Sequence, residues 1–228
     1  MRSSRICAAI LELILAPCSL WAEAAPVCLL TGFQPFGGAK DNPSWEMLRP
    51  LAGQTLAGYR IETAELPVVY DEMARPLADA IAKHRPGIVI CFGQGRELIE
   101  VERIARNGYH PAKPPDNKGQ RPPREKIVPG GAEQFETQLP VDAILAGLKK
   151  AGLAASVSED AGGYLCNECF YRLMAAKTES KDKAIVARGF VHVPRVGAPN
   201  AAGGAYSLED LTRAVRIIVE STVASVRR

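Results

Sequence analysis

The sequence predicts an α/β domain, and three observations carry that prediction. Short apolar runs of strand length alternate along the chain with segments of helical spacing. One run, Gly87-Ile88-Val89-Ile90-Cys91-Phe92, is uninterrupted, as a central strand covered on both faces requires. No internal repeat or second domain is visible, and 228 residues suit one domain with a sizeable core.

The elements are taken in chain order. Val27 to Thr31 reads as a first buried strand, Gly32 to Pro43 as a loop, and Ser44 to Leu51 as a helix. Tyr59 to Leu66 alternates apolar and polar residues, as a half-buried strand does. Asp71 to His84 has helical spacing, with Met73, Leu77, Ala80 and Ile81 on one face, and Pro76 inside it implies a kink or a late start. Asn107 to Gly131 is rich in Pro, Gly and charge and too long for an ordinary connection, so it reads as a functional or oligomer-contact loop. Val141 to Lys150 is a helix, Ala154 to Ser158 a strand, Leu165 to Ala176 a helix and Ala184 to Val193 a last strand. Ser207-Leu208-Glu209-Asp210 has capping-box spacing and opens a helix through about Val226.

The start of the chain differs from the rest. Arg2 and Arg5 precede a short apolar stretch, and Ala22-Glu23-Ala24 places small residues at −3 and −1. Residues 1–24 therefore read as a secretory signal cleaved after Ala24, with 25–228 as the mature domain, exported to a periplasmic or extracellular location. The competing reading is an amphipathic helix of a cytoplasmic protein, which Glu12 inside the apolar stretch favours. No stretch is long enough to span a bilayer. The net charge is +3 with its basic residues scattered, which argues against nucleic acid as a partner, as does an aromatic content of 6%.

Three places carry chemistry. The loop Thr31-Gly32-Phe33-Gln34-Pro35-Phe36-Gly37-Gly38 leaves the carboxyl end of the first strand, where ligands of open α/β sheets gather. Its phenylalanines either wall a flat ring or cap the core; a phosphate loop is excluded because no Gly-Lys-Ser/Thr comes after it. Cys166 begins a helical stretch after Gly162-Gly163, near the positive end of the helix dipole, a setting that favours a reactive thiolate. Of the three histidines, His84 sits in a charged helix end and reads as solvated, His110 lies in the proline-rich loop, and His192 ends an apolar strand where its ring needs a polar partner. A Cys166–His192 pair is geometrically credible, and Glu102 is one candidate to orient the imidazole, unless it is a surface carboxylate paired with Arg103. Residues alone thus point to a thiol hydrolase without naming a substrate.

Several motifs together resemble pyroglutamyl peptidase I. They are Thr31-Gly32-Phe33-x-Pro35-Phe36-Gly37-Gly38 with Asn42-Pro43-Ser44-Trp45, Gly93-Gln94, Glu102-Arg103-Ile104-Ala105-x-Asn107, Pro115-Asp116-Asn117, Ala161-Gly162-x-Tyr164-x-Cys166-Asn167 and Gly189-Phe190-Val191-His192-Val193-Pro194. The resemblance implies a single three-layer α/β/α domain around a central, mostly parallel or mixed sheet, without metal or cofactor and often in dimers or tetramers. It implies peptides with an N-terminal pyroglutamyl residue as substrates. It further implies Cys166 as nucleophile, His192 as general acid and base, Glu102 as the group orienting His192, and Phe33, Phe36 and Gln94 as holders of the neutral lactam ring. The chain departs from the family in a stretch between Gln94 and Glu102 about two residues short, in Arg106 for an aliphatic residue, in Lys113 for an arginine near the active site, and in the export signal.

Cys166-Asn167-Glu168-Cys169 also has the C-x-x-C form of a thiol–disulfide redox protein. That is the reading from another class, beside a homologue that binds pyroglutamyl groups without turning them over. Residues three apart on a helix are close enough for a Cys166–Cys169 bond that would silence the nucleophile, unless Cys169 points into the core.

Overall fold

The structure, a computed structural model, describes residues 25–95, 97–176, 185–200 and 203–227. The expected signal segment lies outside the described residues.

Among the described residues nine strands and five α-helices succeed one another: β1 Val27–Phe33, α1 Pro43–Glu46, β2 Thr55–Leu56, β3 Tyr59–Leu66, α2 Ala74–His84, β4 Ile88–Gln94, β5 Ile99–Glu102, β6 Ile104–Arg106, β7 Gln134–Glu136, α3 Val141–Lys150, β8 Ala155–Ser158, α4 Leu165–Ala175, β9 Ala187–Val193 and α5 Leu208–Val226. Seven strands form one sheet in the order β2-β3-β1-β4-β9-β5-β8, while β6 and β7 pair separately. The pairs β1–β3, β1–β4, β4–β9 and β5–β8 are parallel; β2–β3 and β5–β9 are antiparallel. The sheet is therefore mixed, within the expectation of a mostly parallel or mixed one.

Alternation along the strands builds two cores. Cys28, Leu30, Ile88, Ile90, Phe92, Val191 and Val193 face a layer that includes Leu48, Ile144 of α3 and Val215 of α5. Leu29, Phe33, Val89, Cys91 and Phe190 face Leu77 of α2 and Phe170 of α4. Two helical layers around a sheet make the α/β/α sandwich, and each apolar strand residue finds a helix on its own side.

The differences from expectation have local causes. The helix expected over Ser44 to Leu51 is interrupted: α1 stops at Glu46, and a separate 3₁₀ turn covers Arg49–Leu51, where Pro50 cannot donate an α-helical bond. The helix expected from Asp71 starts at Ala74 instead, with Pro76 in its first turn and Asp71 itself at φ 60°. Strand β3 and helix α3 fall where the patterns place them. The last strand starts at Ala187, and its expected start at Ala184 lies outside the described residues. Strand β5 has no counterpart among the expected elements. The capping box at Ser207 forms, with Ser207 Oγ accepting from the Asp210 N–H and Asp210 Oδ2 accepting from the Ser207 N–H.

Candidate active site

The carboxyl ends of β1, β4 and β9 and the start of α4 converge on the α2/α4 side of the sheet. On β9, Phe190 packs in the α2/α4 core, so His192, two residues on, projects to the same side. Its neighbour across the parallel ladder is Gly93 of β4, and across the antiparallel ladder Glu100 of β5. Glycine at 93 is required there, because a Cβ would lie 2.8 Å from Cys166 Sγ and 2.8 Å from Phe190 Cζ. Gly95 serves His192 in the same way, since its Cβ would stand 2.7 Å from His192 Cβ. Two glycines thus open the space in which thiol and imidazole meet.

Glu102 is fully buried, and its Oε1 lies 2.7 Å from His192 Nδ1. It is therefore no surface carboxylate: Arg103 pairs instead with Glu159, at 3.6 Å. The imidazole also hydrogen-bonds the Cys166 side chain, and Nε2 is the nitrogen left for that bond. Phe190 closes one edge of the imidazole, with ring centroids 5.0 Å apart. Burial works against a charged His192. The electrostatic interaction with Cys166, its hydrogen bond and those to Glu102 overcome this, and His192 is pushed up to about 10.

Cys166 is the second residue of α4, just after Gly162 and Gly163, both with positive φ. The sharp turn delivers the chain from β8 into the helix, and Gly163 also lets His110 approach, its N–H donating to the Gly163 carbonyl at 2.9 Å. Asn167, buried next to the thiol, receives the Arg106 N–H and donates to the carbonyls of Arg106 and Gly108. The Tyr164 hydroxyl donates to the Pro115 carbonyl at 3.1 Å. The long segment after Arg106 is thereby fastened to the start of α4 and brings Lys113 and Pro114 to the cleft wall.

The glycine-rich loop is held just as firmly. Asn42 caps α1 by accepting from the Ser44 N–H, and its amide donates to the Gln34 carbonyl, while Ser44 Oγ accepts from the Phe33 N–H. Asn117 reaches across to donate to the Pro35 carbonyl at 2.8 Å. Phe33, Phe36, Val68, Tyr164 and Leu165 wall a small pocket of about 60 Å³ that Gln94, Asn42 and Cys166 also border. Phe33 is almost wholly buried and belongs to the core as well as to the pocket, so both readings of the loop phenylalanines hold for it. A larger cavity of about 620 Å³ adjoins, lined by Cys166 and His192 among others.

All six residues singled out in the sequence therefore meet at one place. His84 and His110 do not join them. His84 is less solvated than expected: it is half-buried, 3.5 Å from Glu62. His110 accepts a bond from the Ala112 N–H within its own loop. Cys169 lies away from the cleft, fully buried on the inner face of α4, where its thiol hydrogen-bonds Cys91. Of the two readings left open for Cys169, core packing is the one the structure shows, because residue 169 lies on the face that α4 turns toward the sheet. Sequence reasoning missed Tyr164 and Glu100 as cleft residues; for Glu100 the four-residue alternation Ile99-Glu100-Val101-Glu102 was the available signal.

A thiol, an imidazole and a carboxylate in hydrogen-bonded sequence at the sheet's carboxyl edge define the class of α/β thiol hydrolases. Over residues 27–225 the chain matches the pyroglutamyl peptidase family, and it belongs to that family. It is 37% identical to the pyrrolidone-carboxylate peptidase of Brevibacillus brevis, over 87% of this chain and 94% of that protein. Its similarity to the pyrrolidone-carboxylate peptidase of Enterobacter sp. is 39% identity over 86% of this chain and 91% of that one. Among solved structures, pyroglutamyl peptidase I of Bacillus amyloliquefaciens superposes with a TM-score of 0.79 at 36% identity, covering 87% of this chain and 97% of that one. A mutant pyrrolidone carboxyl peptidase of Pyrococcus furiosus superposes with a TM-score of 0.78 at 30% identity, over 87% and 98% of the two chains.

Proposed function

We propose that this protein hydrolyses the bond after an N-terminal pyroglutamyl residue, with Cys166 as nucleophile, His192 as general acid and base, and Glu102 as the residue that orients His192. The observation that carries the reading is the Glu102–His192 bond of 2.7 Å, with Cys166 on the other side of the same imidazole. The Cys166 thiolate attacks the pyroglutamyl carbonyl, and the tetrahedral oxyanion turns to the Cys166 backbone N–H, which has no partner within the helix at this position. His192 gives its proton to the leaving amine, the C–N bond breaks, and a thioester remains. His192 then takes a proton from water, whose oxygen attacks the thioester, and free pyroglutamate and thiol are regenerated.

In this reading the lactam ring enters the small pocket. Phe33 and Phe36 supply apolar walls and the Gln94 amide one polar contact, the balance that a neutral ring asks for. Among the described residues the Gln94 side chain makes no hydrogen bond, which leaves its amide free for a ligand. The test is release of chromophore from a pyroglutamyl arylamide under reducing conditions. Turnover by the wild type and none by Cys166→Ala supports the assignment; full activity in Cys166→Ala overturns it, and no turnover by either leaves only a binding homologue.

Export with cleavage after Ala24 belongs to the same proposal. The basic start, the short apolar stretch and Ala22-x-Ala24 support it, and the family match begins only at residue 27. Sequencing the N-terminus of protein from an extracytoplasmic fraction should read Ala25. An intact Met1 on cytoplasmic protein overturns it. Assembly into dimers or tetramers, which the family resemblance implies, is checked by sedimentation of the purified protein.

A further inference from the structure

The two sides of the cleft differ in chemistry, and the difference bears on which residue is accepted next to the pyroglutamyl group. The small pocket is bordered by Cys166 but not by His192, whereas both line the larger cavity of about 620 Å³. Since the leaving amine takes its proton from His192, the peptide beyond the scissile bond lies in the larger cavity. That cavity carries charge: Glu100, Glu159, Asp160, Arg106 and Lys113 all line it.

Most of those charges are committed to the protein. Glu159 pairs with Arg103 at 3.6 Å. Arg106 donates to Gln134 Oε1 at 3.3 Å and to the Glu159 carbonyl at 3.4 Å. Asp160 Oδ1 accepts the Gly162 N–H at 2.9 Å. Glu100 and Lys113 have no ion pair or side-chain hydrogen bond among the described residues. Lys113 stands over the turn before α4, its Nζ 3.5 Å from where a Cβ of Gly162 would lie.

The ladder fixes where Glu100 stands. It is the direct antiparallel neighbour of His192, and such neighbours have Cβ atoms roughly 5 Å apart on the same face. The flanking Ile99 and Val101 are fully buried in the opposite core, so alternation leaves Glu100 no other face. An uncommitted carboxylate therefore borders the imidazole that must protonate the leaving nitrogen. The side chain of the first released residue begins at that nitrogen's own Cα.

We infer that Glu100 is a specificity-determining residue: it favours peptides with a cationic residue, lysine or arginine, directly after the pyroglutamyl group and disfavours an acidic one there. The inference rests on the reading of the cleft as a pyroglutamyl peptidase site. A pair of unit charges a few ångströms apart at a partly exposed site gives a preference on the order of ten-fold, about 1.4 kcal/mol. Lys113, and Arg195 which lines an adjoining pocket with Glu100, are the opposing charges, and their dominance would reverse the order.

The experiment compares kcat/KM for pyroglutamyl-Lys-Ala-amide, pyroglutamyl-Ala-Ala-amide and pyroglutamyl-Glu-Ala-amide, in wild type and in Glu100→Gln. The expected order in wild type is Lys, then Ala, then Glu. The Lys-to-Glu ratio should be about ten or more at low salt and should fall toward one in about 1 M salt, where the screening length is about 3 Å. In Glu100→Gln the ratio should fall toward one at low salt, and because it is taken within one enzyme, any general loss of rate divides out. Should Glu100→Gln fail to fold, the wild-type order and its salt dependence decide. A wild-type ratio near or below one, with all three peptides turned over, overturns the inference and leaves the peptidase reading intact. A ratio that survives Glu100→Gln overturns the assignment to that residue. Absence of turnover with every peptide defeats the peptidase reading and this inference with it.

Discussion

Glu102 and His192 meet diagonally across an antiparallel ladder rather than side by side. The ladder partner of Glu102 is Phe190, yet its Oε1 reaches forward two residues to His192 Nδ1, at 2.7 Å. The bond fixes which nitrogen faces the carboxylate and leaves the other for the thiol. Glu102→Gln keeps the shape of the group but removes its charge and permits the wrong tautomer. It should lower kcat by about 10³-fold or more, with little change in secondary structure. Steady-state kinetics beside circular dichroism check this, and a loss under ten-fold would remove Glu102 from the orienting role.

His192 should remain protonated well into the alkaline range. Its folded value of about 10 lies above the ordinary 6.5, so the folded state holds a proton that the unfolded chain gives up. The resulting stability is fully present below about 6.5 and is lost as pH rises through about 10. An NMR titration of the His192 ring should show its transition far above that of an ordinary histidine. In Cys166→Ala the transition should move down, because the electrostatic interaction with Cys166 is the leading cause that raises it.

Gly93→Ala tests the space beneath the thiol. The added methyl would come within 2.8 Å of both Cys166 Sγ and Phe190 Cζ. Overpacking of this kind costs about 1–3 kcal/mol, and the displaced thiol should cost activity in excess of the lost stability. Gly87→Ala is the control, since its Cβ would make an ordinary 3.6 Å contact with Tyr59. The comparison is of thermal midpoints and kcat; equal effects from the two substitutions would contradict the close fit.

Oxidation should act on Cys166 alone. Cys169 is fully buried and bonded to Cys91, away from the cleft, so peroxide should convert the more accessible Cys166 toward its sulfenic acid without a partner from within the helix. Inactivation by dilute peroxide should proceed at the same rate in wild type and Cys169→Ala. Protection that depends on Cys169, with recovery on adding a dithiol, would restore the disulfide switch.

Much of the framework is legible because its signals are local. The uninterrupted run Gly87 to Phe92 marks β4, the alternation from Tyr59 to Leu66 marks β3, and Ser207 with Asp210 marks the start of α5. The site residues are legible through motifs such as Asn42-Pro43-Ser44, whose hydrogen bonds pin the glycine loop within a few residues of chain. What escaped is non-local. Strand β5 has only four residues, two of them glutamates, and its worth depends on pairing with β9 about ninety residues away, as the separation in the Glu102–His192 bond shows. The place of Glu100 beside the imidazole comes from that register alone. Cys169 shows the converse: its spacing from Cys166 permits a bond, and only the packing of α4 on Cys91 decides against it.

The antiparallel pairing of β5 with β9 rests on Glu100↔His192, Val101↔Val191 and Glu102↔Phe190. Register in such a pair moves in whole residues. A slip of one turns both glutamates to the far face, and a slip of two offers Glu100 in place of Glu102. No continuous path of small displacements connects a working arrangement to an idle one, so the acid–imidazole pair is assembled or it is absent. During refolding, activity should therefore return in one step with closure of this pairing. Samples withdrawn during refolding and assayed for pyroglutamyl arylamide turnover should contain fully active and inactive molecules, with an unchanged KM throughout, and a KM that drifts as activity returns would contradict this.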